Sequence, residues 1–282
     1  MMATEGHPAG EPVGAPKIAR LSTTVMLLRD APKLEVLMVA RAYDIDFVSG
    51  ALVFPGGKVD PADRDPAWAE HADGGFEPSD LAIRVAAARE CFEEVGLLLA
   101  EDRATGAPAA PDLVAAQGPR RVEVERAPDR FRSVLSAADL RLSLDRLLPF
   151  ARWIAPEFAP KRFDTHFFLA EAPPGQTPQF DGRETTEALW LEPAEALARA
   201  EDGRATVIFP TRMNLRRLSA CGSVSAALKT FAALDPPTVQ PELVKDAAGK
   251  PCLTVPLAAG YGEIMEPLER ITREASPKKS GA

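Results

Sequence analysis

The chain has 282 residues, with 33 Lys and Arg against 41 Asp and Glu, a formal net charge of −8, and is 46% hydrophobic and 26% charged. Such a chain is long enough for one large domain with a buried core, and its composition is that of a soluble globular protein. The acidic balance, with no long basic run, argues against nucleic acid or an anionic membrane surface as partner, but leaves room for a phosphate-bearing small molecule met by local cations.

Taken in chain order, residues 1–17 are rich in Gly, Pro and Ala and read as a disordered lead-in without the apolar stretch of a signal peptide. The runs 22–28 and 34–41 read as two strands around a turn, and 51–57 as a third apolar run stopped by Pro55, Gly56 and Gly57. A polar, Pro/Gly-broken loop leads to a helix expected over 80–99, capped by Ser79 or Asp80. A Pro/Ala loop at 101–118 precedes helical patterning through roughly 119–147. Strands follow at 162–172 and 186–193, then helices at 193–200, 210–220 and 223–234. Strands interspersed with helices give an α/β class, read as one domain over 18–235 with a helical annex and a C-terminal extension at 236–282. No segment approaches the roughly 20 apolar residues that cross a bilayer. The three cysteines, Cys91, Cys221 and Cys252, form no CxxC pair and read as reduced thiols, so a cytoplasmic location is expected.

The segment Arg89–Gly96, RECFEEVG, crowds three carboxylates onto the helix expected at 80–99. Leu81, Val85, Ala88, Phe92, Val95 and Leu99 recur at spacings of four and three, the stripe of a helix packed on a core. With about 100° per residue and Phe92 at zero, Glu93, Glu90 and Glu94 share an arc of roughly 100° on the side away from that stripe. Arg89 and Glu93 are i,i+4 partners, whereas Glu90 and Glu94 are like charges at the same spacing, which costs a few tenths of a kcal/mol. Either this is a solvated acidic face, or the carboxylates serve a hard divalent cation, which takes oxygen ligands and shares them with substrate phosphates. Gly56 and Gly57, ending the strand before the helix, permit close approach of backbone to a ligand. Together with the acidic turn they favour the metal.

These residues resemble the Nudix hydrolase signature, G-x5-E-x7-R-E-U-x-E-E-x-G-U, where U is a bulky apolar residue. The second half matches throughout, from Arg89, Glu90, Cys91 and Phe92 to Glu93, Glu94, Val95, Gly96 and Leu97. The first half departs: after Gly57 and five intervening residues comes Asp63 rather than Glu, and 25 residues separate Asp63 from Arg89 where the pattern has 7. The interruption implies an insertion at about 64–79. With the flanking VARAYDIDFVSGALVFPGGKVDPADRD and WIAPEFAPKRFDTHFFLA, it is similar to the peroxisomal coenzyme A diphosphatase subgroup.

The resemblance implies a Nudix α/β/α sandwich with a mixed sheet, hydrolysing a phosphoanhydride in a nucleoside diphosphate linked to another moiety with Mg²⁺ or Mn²⁺. Coenzyme A or acyl-CoA is the first substrate it suggests, and ADP-ribose or a dinucleotide the second. In that reading Glu93 and Glu94 are metal ligands, Glu90 is a further ligand or the base, Arg89 holds Glu93, and Gly57 offers a carbonyl to the metal. Asp60 and Asp63 are weaker candidates. A base from a later loop is the other option, for which Glu187 and Glu184 stand before a strand. Arg41 and Lys58 are the candidate phosphate contacts. His166, Trp153, Trp190, Phe167 and Cys91 read as packed residues. A non-catalytic nucleotide-binding regulator is the rival, disfavoured because all the motif carboxylates are kept. Dimers are common in the family, and the end KKSGA is not a peroxisomal S-K-L address.

Overall fold

The computed structural model describes residues 18–42 and 50–275. Residues 43–49, within the flanking stretch quoted above, and both chain ends, with the expected lead-in at 1–17, lie outside that range. The first half of the chain gives β1 (Arg20–Asp30), β2 (Leu34–Arg41), β3 (Leu52–Val53), β4 (Gly56–Lys58), α1 (Pro78–Val95) and β5 (Ala100–Asp102). It continues through α2 (Pro111–Gln117), α3 (Arg121–Arg126), α4 (Phe131–Ala137), β6 (Leu140–Leu142) and β7 (Leu148–Ile154). The second half gives β8 (Phe163–Glu171), β9 (Thr185–Leu191), α5 (Pro193–Glu201), α6 (Phe209–Leu218) and α7 (Val224–Ala232). Short elements close it: β10 (Thr238–Val239), β11 (Glu242–Lys245), β12 (Pro251–Thr254), β13 (Met265–Pro267) and α8 (Leu268–Ala275).

The main sheet runs β10-β7-β8-β1-β2-β3, with β4 paired to β1 and β9 to β2. It is mixed, since β1–β8 and β10–β7 are parallel and the other pairs antiparallel. The period-two alternation of β1 and β2 fills two separate cores. Val25, Leu27, Leu37 and Val39 face α1. Met26, Leu28, Val36 and Met38 face the side covered by α6 and α7. With helices on both faces, the chain is an α/β sandwich.

Three expectations change. Helix α1 begins at Pro78, whose ring presets the first helical φ, and its N-cap is Glu77, which makes no side-chain cap bond, rather than Ser79 or Asp80. It ends at Gly96, a left-handed residue with φ 68°, so Leu99 lies beyond the helix. The expected helical stretch 119–147 breaks into short helical pieces up to Ala137, followed by β6, which pairs with β5, and a 3-10 turn at Leu144–Arg146.

The insertion is ordered by packing rather than by regular structure. Two 3-10 turns, Pro61–Arg64 and Pro66–Glu70, carry Trp68 into the core with no exposed surface. Its ring lies 5.8 Å from Phe131 of α4, which in turn stacks on Phe92 of α1 at 5.7 Å. Insertion and annex are thereby docked on the helix that bears the acidic turn. Residues past 235 join the second core through Val239, Leu253, Val255 and Ala259. There the fully buried Arg212 of α6 donates to the Val207 carbonyl and to the carboxylates of Glu266 and Glu274.

Candidate active site

Register on β1 sets the site. Thr23 pairs with Gly57 and Thr24 with Gly56, which lays the glycine turn alongside α1. A Cβ at Gly57 would overlap the Glu90 carboxylate, and one at Gly56 would overlap the Thr23 carbonyl. Only a residue without a side chain lets strand and acidic helix meet this closely. The Gly56 amide donates to Glu94 Oε2 at 3.0 Å. The side of the helix that the wheel places away from the apolar stripe is therefore covered: Glu94 is buried, and the Glu90 and Glu93 side chains keep only 14% and 11% of their surface.

Arg89 is the hub, and all five of its N–H donors are used. Nε and Nη2 reach the two Asp63 oxygens at 2.9 Å each, Nη1 reaches Glu90 Oε1 at 3.0 Å and Glu93 Oε1 at 2.9 Å, and Nη2 also reaches the Lys58 carbonyl at 3.0 Å. A saturated guanidinium has nothing left to offer a ligand, so Arg89 acts by positioning. Asp63 is delivered by the turn at Pro61–Arg64, where its Oδ2 also accepts from the Asp60 amide at 2.8 Å while Asp60 Oδ1 caps Ala62. This short turn places the Asp63 carboxylate against Arg89 at the position where the motif has Glu.

Burial dominates the acidity of the cluster. It raises Glu90, with the charges of Asp63 and Glu184 adding to it and Arg89 opposing. Burial likewise pushes Glu93 up to about 7, reinforced by Glu90 and Asp63 and opposed by Arg89. It raises Glu94 well above the carboxylate range, with Glu90 adding to it and the Gly56 amide and Arg41 opposing. Arg89 is itself buried, which alone would lower it, but the Asp63 hydrogen bonds and the charges of Glu90, Asp63 and Glu93 hold it charged. Among the described residues no three His, Cys, Asp or Glu side chains already converge as a metal cage. Glu90 and Glu93 share Arg89 Nη1, and Glu94 turns to the Gly56 amide.

The other candidates separate. Arg41, at the end of β2, sits 4.0 Å from Glu94, and its buried Nε finds no acceptor among the described residues. The Lys58 side chain is exposed, and it is its carbonyl that serves the site. Glu187 pairs with Ala40, whereas its neighbours Ala188 and Trp190 pack on the α1 side. A bulge at Ala40/Arg41 restores the α1 side at Thr185, whose hydroxyl lies 2.9 Å from Asp181 Oδ1 and 3.3 Å from the Glu94 carbonyl. Glu187 is thus carried on the opposite face, and Glu184 is the later-loop acid whose charge reaches Glu90 and Glu94. The Asp181 carboxylate, accepting from the amides of Arg183, Glu184 and Thr185, shapes that loop. His166 lies half-buried in β8, 3.9 Å from Asp164.

Residues 69–218, more than half of the chain, match the NUDT19 Nudix domain, and the chain belongs to the Nudix hydrolases. Acyl-coenzyme A diphosphatase NUDT19 of Homo sapiens is 28% identical over 238 residues, covering 69% of this chain and 63% of that protein. Its Xenopus laevis counterpart is 25% identical over 225 residues, covering 65% of this chain and 59% of that protein. The matches therefore span less than two thirds of these relatives. The crystal structure of a NUDIX hydrolase from Alicyclobacillus acidocaldarius superposes with a TM-score of 0.66 at 32% identity, covering 78% of this chain and all of that one. Among the described residues no helix is long and apolar enough to cross a membrane.

Proposed function

We propose that the protein is a divalent-metal-dependent pyrophosphohydrolase that cleaves a nucleoside diphosphate linked to another moiety, with coenzyme A or acyl-CoA as substrate. One observation carries this reading: of three neighbouring helix carboxylates, Glu90 and Glu94 are held under a glycine turn that a side chain would fill and Glu93 is held by Arg89, at the cost of raised pKa values. A protein that needed only a solvated face would not bury them. The donor set is all oxygen and anionic, which fits Mg²⁺ or Mn²⁺. Glu93 and Glu94, with Glu90 and the Gly57 carbonyl, would hold the ions. When bound, such ions neutralise phosphate oxygens and lower the pKa of water.

The chain's own groups divide the remaining work. Arg89, clamped by Asp63, fixes Glu90 and Glu93 in one geometry. Glu184 from the loop takes the proton of the attacking water, or Glu90 does where it is not itself a ligand. Arg41, with a donor left over beside Glu94, meets a phosphate oxygen. The similar human and Xenopus laevis proteins, both acyl-coenzyme A diphosphatases, support the acyl-CoA assignment.

The test is hydrolysis of coenzyme A, acyl-CoA and ADP-ribose with Mg²⁺ and Mn²⁺, with products identified by mass. Glu94→Gln should abolish turnover while the variant stays folded. Full turnover in a folded Glu94→Gln protein would overturn the proposal.

A further inference from the structure

Helix α1 stops at Gly96, directly after the turn that carries Glu93 and Glu94. The last four carbonyls of a helix have no partner inside it. Here the first of them, that of Phe92, closes the last helical bond at the Gly96 cap, and the other three find partners elsewhere in the chain. The Phe92 carbonyl accepts from the Gly96 amide at 3.0 Å, and that of Val95 from the Gln179 amide at 2.8 Å. The Glu94 carbonyl has the Thr185 hydroxyl at 3.3 Å. The Glu93 carbonyl takes a two-toothed grip from Arg121 at the start of α3, with Nε at 3.0 Å and Nη2 at 2.7 Å. Glu93 is thus held at both ends, its carboxylate by Arg89 and its backbone by Arg121.

The same short helix reaches the opposite wall. Glu125 of α3 pairs with Arg183 at 3.0 Å, in the loop that carries Glu184. Arg121 also lies within the fields of Asp181 and Glu94. One six-residue helix of the annex therefore joins the two walls of the site, the acidic turn of α1 and the 181–185 loop.

We infer that Arg121 is a positioning residue of the carboxylate site: by gripping the Glu93 backbone from the annex, it sets where Glu93 and Glu94 stand relative to the 181–185 loop, and thereby the affinity for a divalent cation. This rests on the metal-dependent reading above. A guanidinium suits the task, because its planar fork gives two donors to one carbonyl and its charge complements a helix C-terminus. Lysine would keep the charge but not the fork.

The experiment is a Mn²⁺ titration of the full chain, followed by the electron paramagnetic resonance signal of free Mn²⁺, on the wild type, Arg121→Met and Arg121→Lys. Far-ultraviolet circular dichroism on the same samples reports folding. The Mn²⁺ dissociation constant should rise about tenfold in Arg121→Met, as for groups that orient metal ligands from outside, and by less in Arg121→Lys. If Arg121→Met does not fold, Arg121→Lys decides by the same measure. Folded variants that bind Mn²⁺ as tightly as the wild type overturn the inference while leaving the hydrolase reading standing. A wild type that binds no Mn²⁺ overturns both.

Discussion

Replacing Asp63 by Asn tests the clamp on which the site geometry depends. Asp63 accepts three hydrogen bonds, two from Arg89 and one from the Asp60 amide, and its side chain has no exposed surface. Asn fills the same volume, so no cavity confuses the result, but it offers one oxygen where the carboxylate offers two and turns N–H donors toward Arg89 or Asp60. Removing one partner of a buried pair costs roughly 3–5 kcal/mol, and Arg89 keeps Glu90 and Glu93, so the low end, about 3 kcal/mol, applies. At roughly 2–4 °C per kcal/mol for a domain of this size, the melting temperature should fall by about 6–12 °C. The assay is a calorimetric melt at neutral pH beside turnover of the best substrate, with Asp65→Asn as control. Asp65 caps the next turn, and Asn caps as well as Asp, so the control should melt near the wild type. Turnover of Asp63→Asn should fall as well, because a loosened Arg89 frees Glu93. An unchanged melt with unchanged turnover would refute the clamp.

Three further outcomes follow from the same geometry. Glu93, raised from 4.5 to about 7 in the fold, contributes stability that is full below its unfolded value and lost as pH rises through about 7. The loss amounts to about 3 kcal/mol. Melts after chelation should therefore show wild type falling relative to Glu93→Gln between pH 5 and 8, and parallel curves would contradict this. Gly57→Ala should push the Glu90 carboxylate aside and lower kcat on the order of 100-fold; wild-type kcat would deny the contact. Phe131→Ala, at the centre of the Trp68–Phe131–Phe92 stack, should cost about 3–5 kcal/mol in urea unfolding, and an unshifted midpoint would mean that the annex is not docked on α1.

Elements that carry their own periodicity were legible in the sequence. Strand β2 occupies the run Leu34–Arg41 that its apolar pattern marks, and the buried stripe of α1 follows the expected spacing up to Val95. The carboxylates were legible as a group, but a helical wheel records only direction, and the partner that covers them, the glycine turn with Asp63, comes from another part of the chain. Glu184 and Glu187 are equivalent in the sequence, two acids just before a strand, and what separates them is the bulge at Ala40/Arg41, which only the paired neighbour reveals. The stretch 119–147 looked helical because short helices and a three-residue strand share apolar spacings at that length. Arg121 carried no signal at all: it is one arginine among many until the end of α1 is seen beside it. The three-stranded sheet β11–β12–β13 escaped for a similar reason, since strands of three or four residues have too few alternations to stand out.

The countercharge of Arg212 has a practical consequence for anyone excising the catalytic portion. The family match stops at residue 218, and a cut placed by motif alone would fall well before the last helix. Yet the two anions that neutralise this solvent-free guanidinium, Glu266 and Glu274, arrive some fifty residues or more further along. A stop codon ahead of them would strand a naked cation in oil. Electroneutrality of the interior thus ties the stretch through Glu274 to α6.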